Sequence, residues 1–163
     1  MENSINYLKS NELLKIEHDL IFSKFDVLDA INIGNIAKDL GLARNLPIAV
    51  QVRINNWVIY HASLPGSSIE NQSWLERKAR VVLLKHHSTL FERVSAEERR
   101  VNWYKENNLD ESTHAIHGGG MPIATKIDGF KGVLLVSGLD QFEDHMFGIE
   151  VIKEFLTVQG ELL

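Results

Sequence analysis

Apolar and polar positions follow two different periods along this chain, and the switches between them predict its elements. Leu8, Leu13, Leu14 and Ile16 recur at helical spacing, so residues 8–18 read as a helix. Leu20-Ile21-Phe22-Ser23-Lys24-Phe25 reads as a short strand. Asp26 then caps a second helix with Ile33, Ile36, Ala37 and Leu40 as its stripe, and Gly41 is expected to end it. The clearest strand pattern lies in Ile48–Ile54 and Trp57–His61, joined by Asn55-Asn56, which tolerates the left-handed backbone of a tight hairpin.

Pro65-Gly66 interrupts the pattern, and Ser67 with Glu70 predicts a capping box for a helix over 68–86. Its buried stripe is expected at Leu75, Ala79, Val82 and His86. A second box, Ser95 with Glu98, predicts a charged helix over 95–106, followed by a polar loop over 107–112. Three strands are expected at 113–117, 121–127 and 132–137, with Asp128-Gly129 turning between the last two. A closing helix from Asp140 to about Thr157 aligns Phe142, Met146, Ile149, Ile152 and Leu156. Tight turns between neighbouring strands imply an antiparallel sheet covered by helices, an α+β arrangement in one domain over 1–163.

Composition narrows the function. The chain has 163 residues, 44% of them hydrophobic and 24% charged, enough for one core. It contains no cysteine, which excludes disulfides, thiolate metal sites and a cysteine nucleophile, and which suits a reducing, cytoplasmic setting. Met1-Glu2-Asn3-Ser4-Ile5-Asn6 lacks a basic stretch followed by an apolar one, so no signal peptide is expected. Apolar runs such as Val133–Val136 are far shorter than a membrane span needs, and no membrane partner is expected. A net charge of −5 argues against nucleic acid as a partner. Residues 76–100 carry seven bases and four acids, so this stretch is +3 and the remainder −8. Such a split fits solvated helix faces, or subunits pairing through opposite patches.

The candidate chemistry centres on His117-Gly118-Gly119-Gly120-Met121. Three consecutive glycines can present amides as an anion-binding nest, or can let neighbouring backbone approach closely. The run lacks the Lys-Ser/Thr of a phosphate-binding loop and the spacing of a dinucleotide fingerprint. His61, His86, His87, His114, His117 and His145 are candidate haem or metal ligands, with Met121 or Met146 as an axial thioether. His114 and His117, on one strand, would face opposite sides. Trp74 and Lys78 share a helix face, where an ammonium could meet an anion beside an aromatic wall, or simply snorkel past a packed ring. Arg53, near Asn55 and Trp57, carries the same ambiguity. Glu143 and Asp144, adjacent on a helix, do not converge as a hydrolytic pair, and Ser137 only partly fits a nucleophile elbow.

Ala115-Ile116-His117-Gly118-Gly119-Gly120-Met121-Pro122-Ile123, followed by Gly132–Leu139 and then Asp140–His145, resembles the GlcG/HbpS-like haem-degrading-domain family. The resemblance runs over about residues 10–157, and Ser73–Lys78 is similar to a branch of small cytoplasmic proteins within it. It implies a profilin-like three-layer α/β/α fold with a five-stranded antiparallel sheet, and assembly into a homo-oligomer, as a dimer or higher ring. It also implies haem as a candidate cofactor, without assigning a catalytic residue. Together these readings favour a binding module for a small anionic ligand lined by His117, Gly118, Gly119, Gly120, Met121, Trp74, Lys78 and Arg53. The alternative is an adaptor that acts through its oligomeric surface; an enzyme is the third reading, with no complete catalytic set to draw.

Overall fold

The computed structural model describes residues 8–161; the reading of Met1–Asn6 lies outside them. The first helix, α1, spans Ser10–Asp19, and the second, α2, spans Val27–Ala43. Asp26 and Asp29 cap α2 reciprocally, each carboxylate accepting the other's backbone N–H at 3.0 Å or less. The helix does not stop at Gly41. That glycine is buried, and a Cβ there would lie 2.5 Å from the Leu64 side chain, so its bareness serves packing. Asn45, at φ 54°, takes the left-handed turn instead.

Strands β1 (Ala49–Ile54) and β2 (Trp57–Ser63) form the expected hairpin, with Asn55 at φ 50°. Strands β3 (Gly120–Thr125) and β4 (Gly129–Ser137) form a second. The sheet order is β2-β1-β4-β3, every pair antiparallel. Among the described residues the sheet therefore has four strands where the resemblance implied five. Of the strand expected at 20–25, one isolated parallel bridge remains, Phe22 to Thr125. Residues 113–117 form no strand either, because their amides are used elsewhere. Ala115 N–H donates to the Arg77 carbonyl and Ile116 N–H to the Tyr104 hydroxyl, so this stretch crosses a helix instead of extending the sheet.

Helix α3 (Ile69–Lys85) starts one residue later than the box at Ser67 predicts: Ser68 N–H donates to Asn71 Oδ1 at 2.9 Å. It ends at His86, a left-handed cap that is exposed and stacked on Phe130 instead of joining the buried stripe. The helix expected over 95–106 is two, α4 (Thr89–Glu98) and α5 (Trp103–Asn107). Ser88 and Asn102 cap them, and Arg100 at φ 56° separates them. Glu98, expected to close a box with Ser95, bonds instead to Ser10 of α1. The last helix, α6 (Gln141–Val158), forms where a helix from Asp140 to about Thr157 is expected, with Asp140 as its cap. No helix among the described residues is long and apolar enough to cross a membrane.

Alternation along the strands sends two sets of side chains to two faces. Val50, Val52, Met121, Ile123, Leu134 and Val136 pack with α2 and α6 around Phe22, Phe25 and Phe155. Ala49, Val133 and Leu135 pack against Leu75, Ala79 and Val82 of α3. Helices thus cover both sheet faces, and α3 and α6 lie on opposite ones.

Candidate functional site

Strand β4 ends at Ser137, and Gly138, at φ 143°, turns the chain through Leu139 into α6. Just past this end, two helices that the sheet holds apart send one charged side chain each toward the other. Lys78 of α3 and Asp144 of α6 are each 2% exposed. Lys78 Nζ donates to the Val136 carbonyl at 2.9 Å and to Asp144 Oδ2 at 3.2 Å. Asp144 Oδ1 accepts the Leu139 N–H at 3.0 Å.

Desolvation dominates both partners. It lowers the Lys78 pKa despite the attraction of Asp144, with Arg77 adding to the effect. It raises the Asp144 carboxyl to about 6, against the pull of Lys78 and of the Leu139 and Gly138 amides. Both shifts point toward neutralisation, which burial favours and the contact between the two groups opposes.

The pair forms one wall of a cavity of about 260 Å³, completed by Asn71, Trp74, His117, Ser137, Gly138, Leu139 and Gln141. Asn71 Nδ2 donates to Ser137 Oγ at 3.1 Å. The His117 ring meets Trp74 edge-on, with centroids 4.6 Å apart, and the Arg77 guanidinium sits 3.9 Å from the Trp74 ring centre. His117 Nδ1 is buried without a hydrogen-bond partner among the described residues. Burial first, then the positive charges of Arg93, Lys78 and Arg77, lower the His117 pKa, with Glu111 opposing.

The expected residues divide. Lys78, Trp74 and His117 are brought together, and Lys78 does not snorkel: it is wholly buried. The glycines serve close approach more than an anion nest. Gly118 N–H donates to Gln141 Oε1 at 3.4 Å and Gly120 N–H to Thr89 Oγ1 at 3.0 Å, so those amides are already used. At Gly119, φ 127°, a Cβ would lie 2.3 Å from the Val136 oxygen and 2.7 Å from Lys78 Nζ. Gly119 is bare where the ammonium and its carbonyl partner meet.

Met121 lies in the core on the other sheet face, its Cε where a Cβ on Gly148 would stand. Arg53 is buried under α3, paired with Glu76 at 2.7 Å and bonded to Gln51 and Asn56, and is not among the lining residues. Met146, expected on the buried face of α6, is exposed, while His145 next to it is buried with neither ring nitrogen partnered among the described residues. His114 bonds Thr113 and does not join His117 at the cavity.

Asp144 was missed as a partner for Lys78, and so were Asn71, Gln141 and Leu139 as walls. A signal for Asp144 existed: it stands four residues before Gly148 and eleven before Phe155, on the buried stripe of its helix.

The chain as a whole is similar to a wider set of proteins. A family model described as "Haem degrading protein HbpS-like" matches residues 25–153. A UPF0303 protein of Streptomyces avermitilis is 34% identical over 146 residues, covering 90% of each chain. A UPF0303 protein of Mesorhizobium japonicum is 35% identical over 145 residues, covering 88% of this chain and 86% of that one. Among solved structures, the Ybr137w protein superposes with a TM-score of 0.83 at 23% identity, covering 91% of this chain and 88% of that one. PduOC in complex with heme superposes with a TM-score of 0.67 at 14% identity, covering 79% and 93%. At these identities the structures speak for the shared fold.

Proposed function

The chain belongs to the HbpS-like haem-degrading protein family, and from that premise we propose that it is a one-domain binding module for a small anionic ligand, seated in the cavity at Lys78. The observation that carries this reading is the state of Lys78. An ammonium has three N–H donors, two are used by Val136 and Asp144, and the third is left for the cavity that Lys78 lines. The amides of Asn71 and Gln141 and the Ser137 hydroxyl add neutral polar groups around a ligand oxygen, while Trp74 and Leu139 offer apolar contact. Asp144 acts as the resident counter-charge that an incoming anion displaces or that takes up a proton on binding.

Haem does not fit inside this cavity. Sites for drug-sized ligands span about 300–1,000 Å³, the cavity has about 260 Å³, and haem is large for that class. An axial pair of His117 and Met121 is also closed off, since Met121 is in the core on the far face of the sheet. His117, whose Nδ1 has no partner among the described residues, is the residue that would meet an iron at the cavity's edge.

Thermal unfolding with acetate, propionate and phosphate tests the reading. A ligand at a hundredfold excess over its Kd stabilises by about 2.7 kcal/mol, a rise of about 5–10 °C for a domain of this size. A flat melting temperature across all three, with no loss caused by Lys78→Met, overturns it. Haem titrated in parallel is the rival, and a Soret shift abolished by His117→Ala would make haem the ligand.

Self-association as a cytoplasmic dimer or ring is part of the proposal. Trp57 is 63% and Ile69 84% exposed, apolar surface that a second copy would cover. The adaptor reading rests on the same surface, and light scattering that returns a monomer would remove both.

A further inference from the structure

A buried lysine paired to an aspartate is a weak device for stability, since apolar residues of similar volume do as well or better. Here the pair also stands open to a cavity, and the main chain at residue 119 carries no side chain within reach of the amine. Those circumstances suit a lysine that reacts. We propose that Lys78 condenses with the carbonyl carbon of a small 2-oxo acid, forming an imine, with Asp144 moving the protons. The inference rests on the cavity being the ligand site, and it names the ligand's class.

The groups needed are at hand. Asp144 Oδ2, 3.2 Å from Nζ, is placed to take a proton from the ammonium and free its lone pair. Its carboxyl titrates near neutrality, so it can return what it takes. The Val136 carbonyl, at 2.9 Å, keeps Nζ at the wall through a donor bond that a neutral amine also makes. The charged groups around the amine are Asp144 and Arg77, and His117 faces it across the cavity. The amides of Asn71 and Gln141 are the candidates to hold the ligand's carboxylate.

The step balances without an oxidant or reductant. Asp144 accepts one proton from the Lys78 ammonium. The amine nitrogen forms a bond to the carbonyl carbon as the C=O π pair moves to oxygen, which takes the proton back from Asp144. The nitrogen then gives a second proton to Asp144, which passes it to the hydroxyl. Water leaves, and a protonated C=N bond remains. One ammonium and one carbonyl give one iminium and one water.

The test uses the wild-type protein with pyruvate and sodium cyanoborohydride, which reduces an iminium to a stable secondary amine that peptide mapping locates. The expected result is one reduced adduct per chain on Lys78, formed at least tenfold faster than on any other lysine. Asp144→Asn leaves the amine neutral but removes the carrier that returns protons to the carbonyl oxygen and the hydroxyl, so it should slow the adduct about a hundredfold while leaving slow labelling of surface lysines unchanged. Labelling confined to surface lysines, or equal rates at all of them, overturns the proposal. Propionate, which has no carbonyl, separates the two readings: if it raises the melting temperature and pyruvate leaves Lys78 unlabelled, the cavity binds anions and the imine is wrong. If neither acts, both fall.

Discussion

Replacing Asp144 with asparagine isolates what the carboxylate does for Lys78. Asparagine keeps the shape and the oxygen that accepts the Leu139 N–H, so packing and that bond survive while the charge goes. Lys78, 2% exposed, is left with the Val136 carbonyl. Removing one partner of a buried pair costs about 3–5 kcal/mol. A ceiling follows from the lysine itself, which can shed its proton instead of remaining an unpaired buried charge. From an ordinary pKa of 10.5, deprotonation at pH 7 costs about 4.8 kcal/mol, at about 1.4 kcal/mol per pH unit.

By the same arithmetic the ceiling falls to about 2 kcal/mol at pH 9. In the variant, Lys78 is neutral when folded and charged when unfolded. The unfolded chain then holds the extra proton, and the variant's stability rises with pH. Urea unfolding of both proteins at pH 7 and pH 9 should give a deficit of about 3–5 kcal/mol at the lower pH, shrinking to about 2 kcal/mol or less at the higher. A deficit below about 1 kcal/mol at pH 7, or one that does not change with pH, would refute the reading of Lys78 as a charge that depends on Asp144.

Three further outcomes are expected. Propionate affinity should increase as pH falls from 8 toward 5.5, because Asp144 titrates at about 6 and its protonation leaves the Lys78 charge free for the anion; calorimetry at the two pH values checks the sign. Gly119→Ala should cost about 2–4 kcal/mol, since φ is 127° and the new Cβ falls 2.3 Å from the Val136 oxygen, whereas Gly129→Ala, at φ 70° with nothing within 4 Å, should cost about 1–2 kcal/mol. His145, held to a pKa of about 4 by burial against an ordinary 6.5, stays neutral in the fold while the unfolded chain takes a proton, so stability should drop by about 3 kcal/mol between pH 6.5 and pH 4. His145→Leu should abolish that part of the slope in acid unfolding titrations and cost little at pH 7, as neither ring nitrogen has a partner among the described residues.

What was legible in the sequence was what is decided locally. The hairpin at Asn55-Asn56, the cap at Asp26 and the closing helix after Asp140 depend on residues a few positions apart, and each appears as expected. The stretch at 113–117 misleads because Ala115 and Ile116 are apolar either way. Ile116 packs with Val81 and Trp103 over a helix, and nothing in its spacing separates that from a strand. Ser88 and Ser95 both precede plausible turns of helix, and it is Arg100's left-handed backbone that divides the segment. At the site, Lys78, Trp74 and His117 were legible as side chains of the right chemistry. The Lys78–Asp144 contact was not, since it joins residues 66 positions apart through the end of a strand.

Lys78 and Asp144 come from helices on opposite faces of the sheet and meet beyond the tip of β4. They act as a clasp across the open end of a sandwich whose two faces the strands separate, beside α4, which packs against both α3 and α6. An occupant that draws the ammonium away from the carboxylate undoes the clasp on both sides at once. The filling of a small cavity would then be felt on both faces of the sheet, and by the turn at Leu139, whose N–H the same carboxylate accepts.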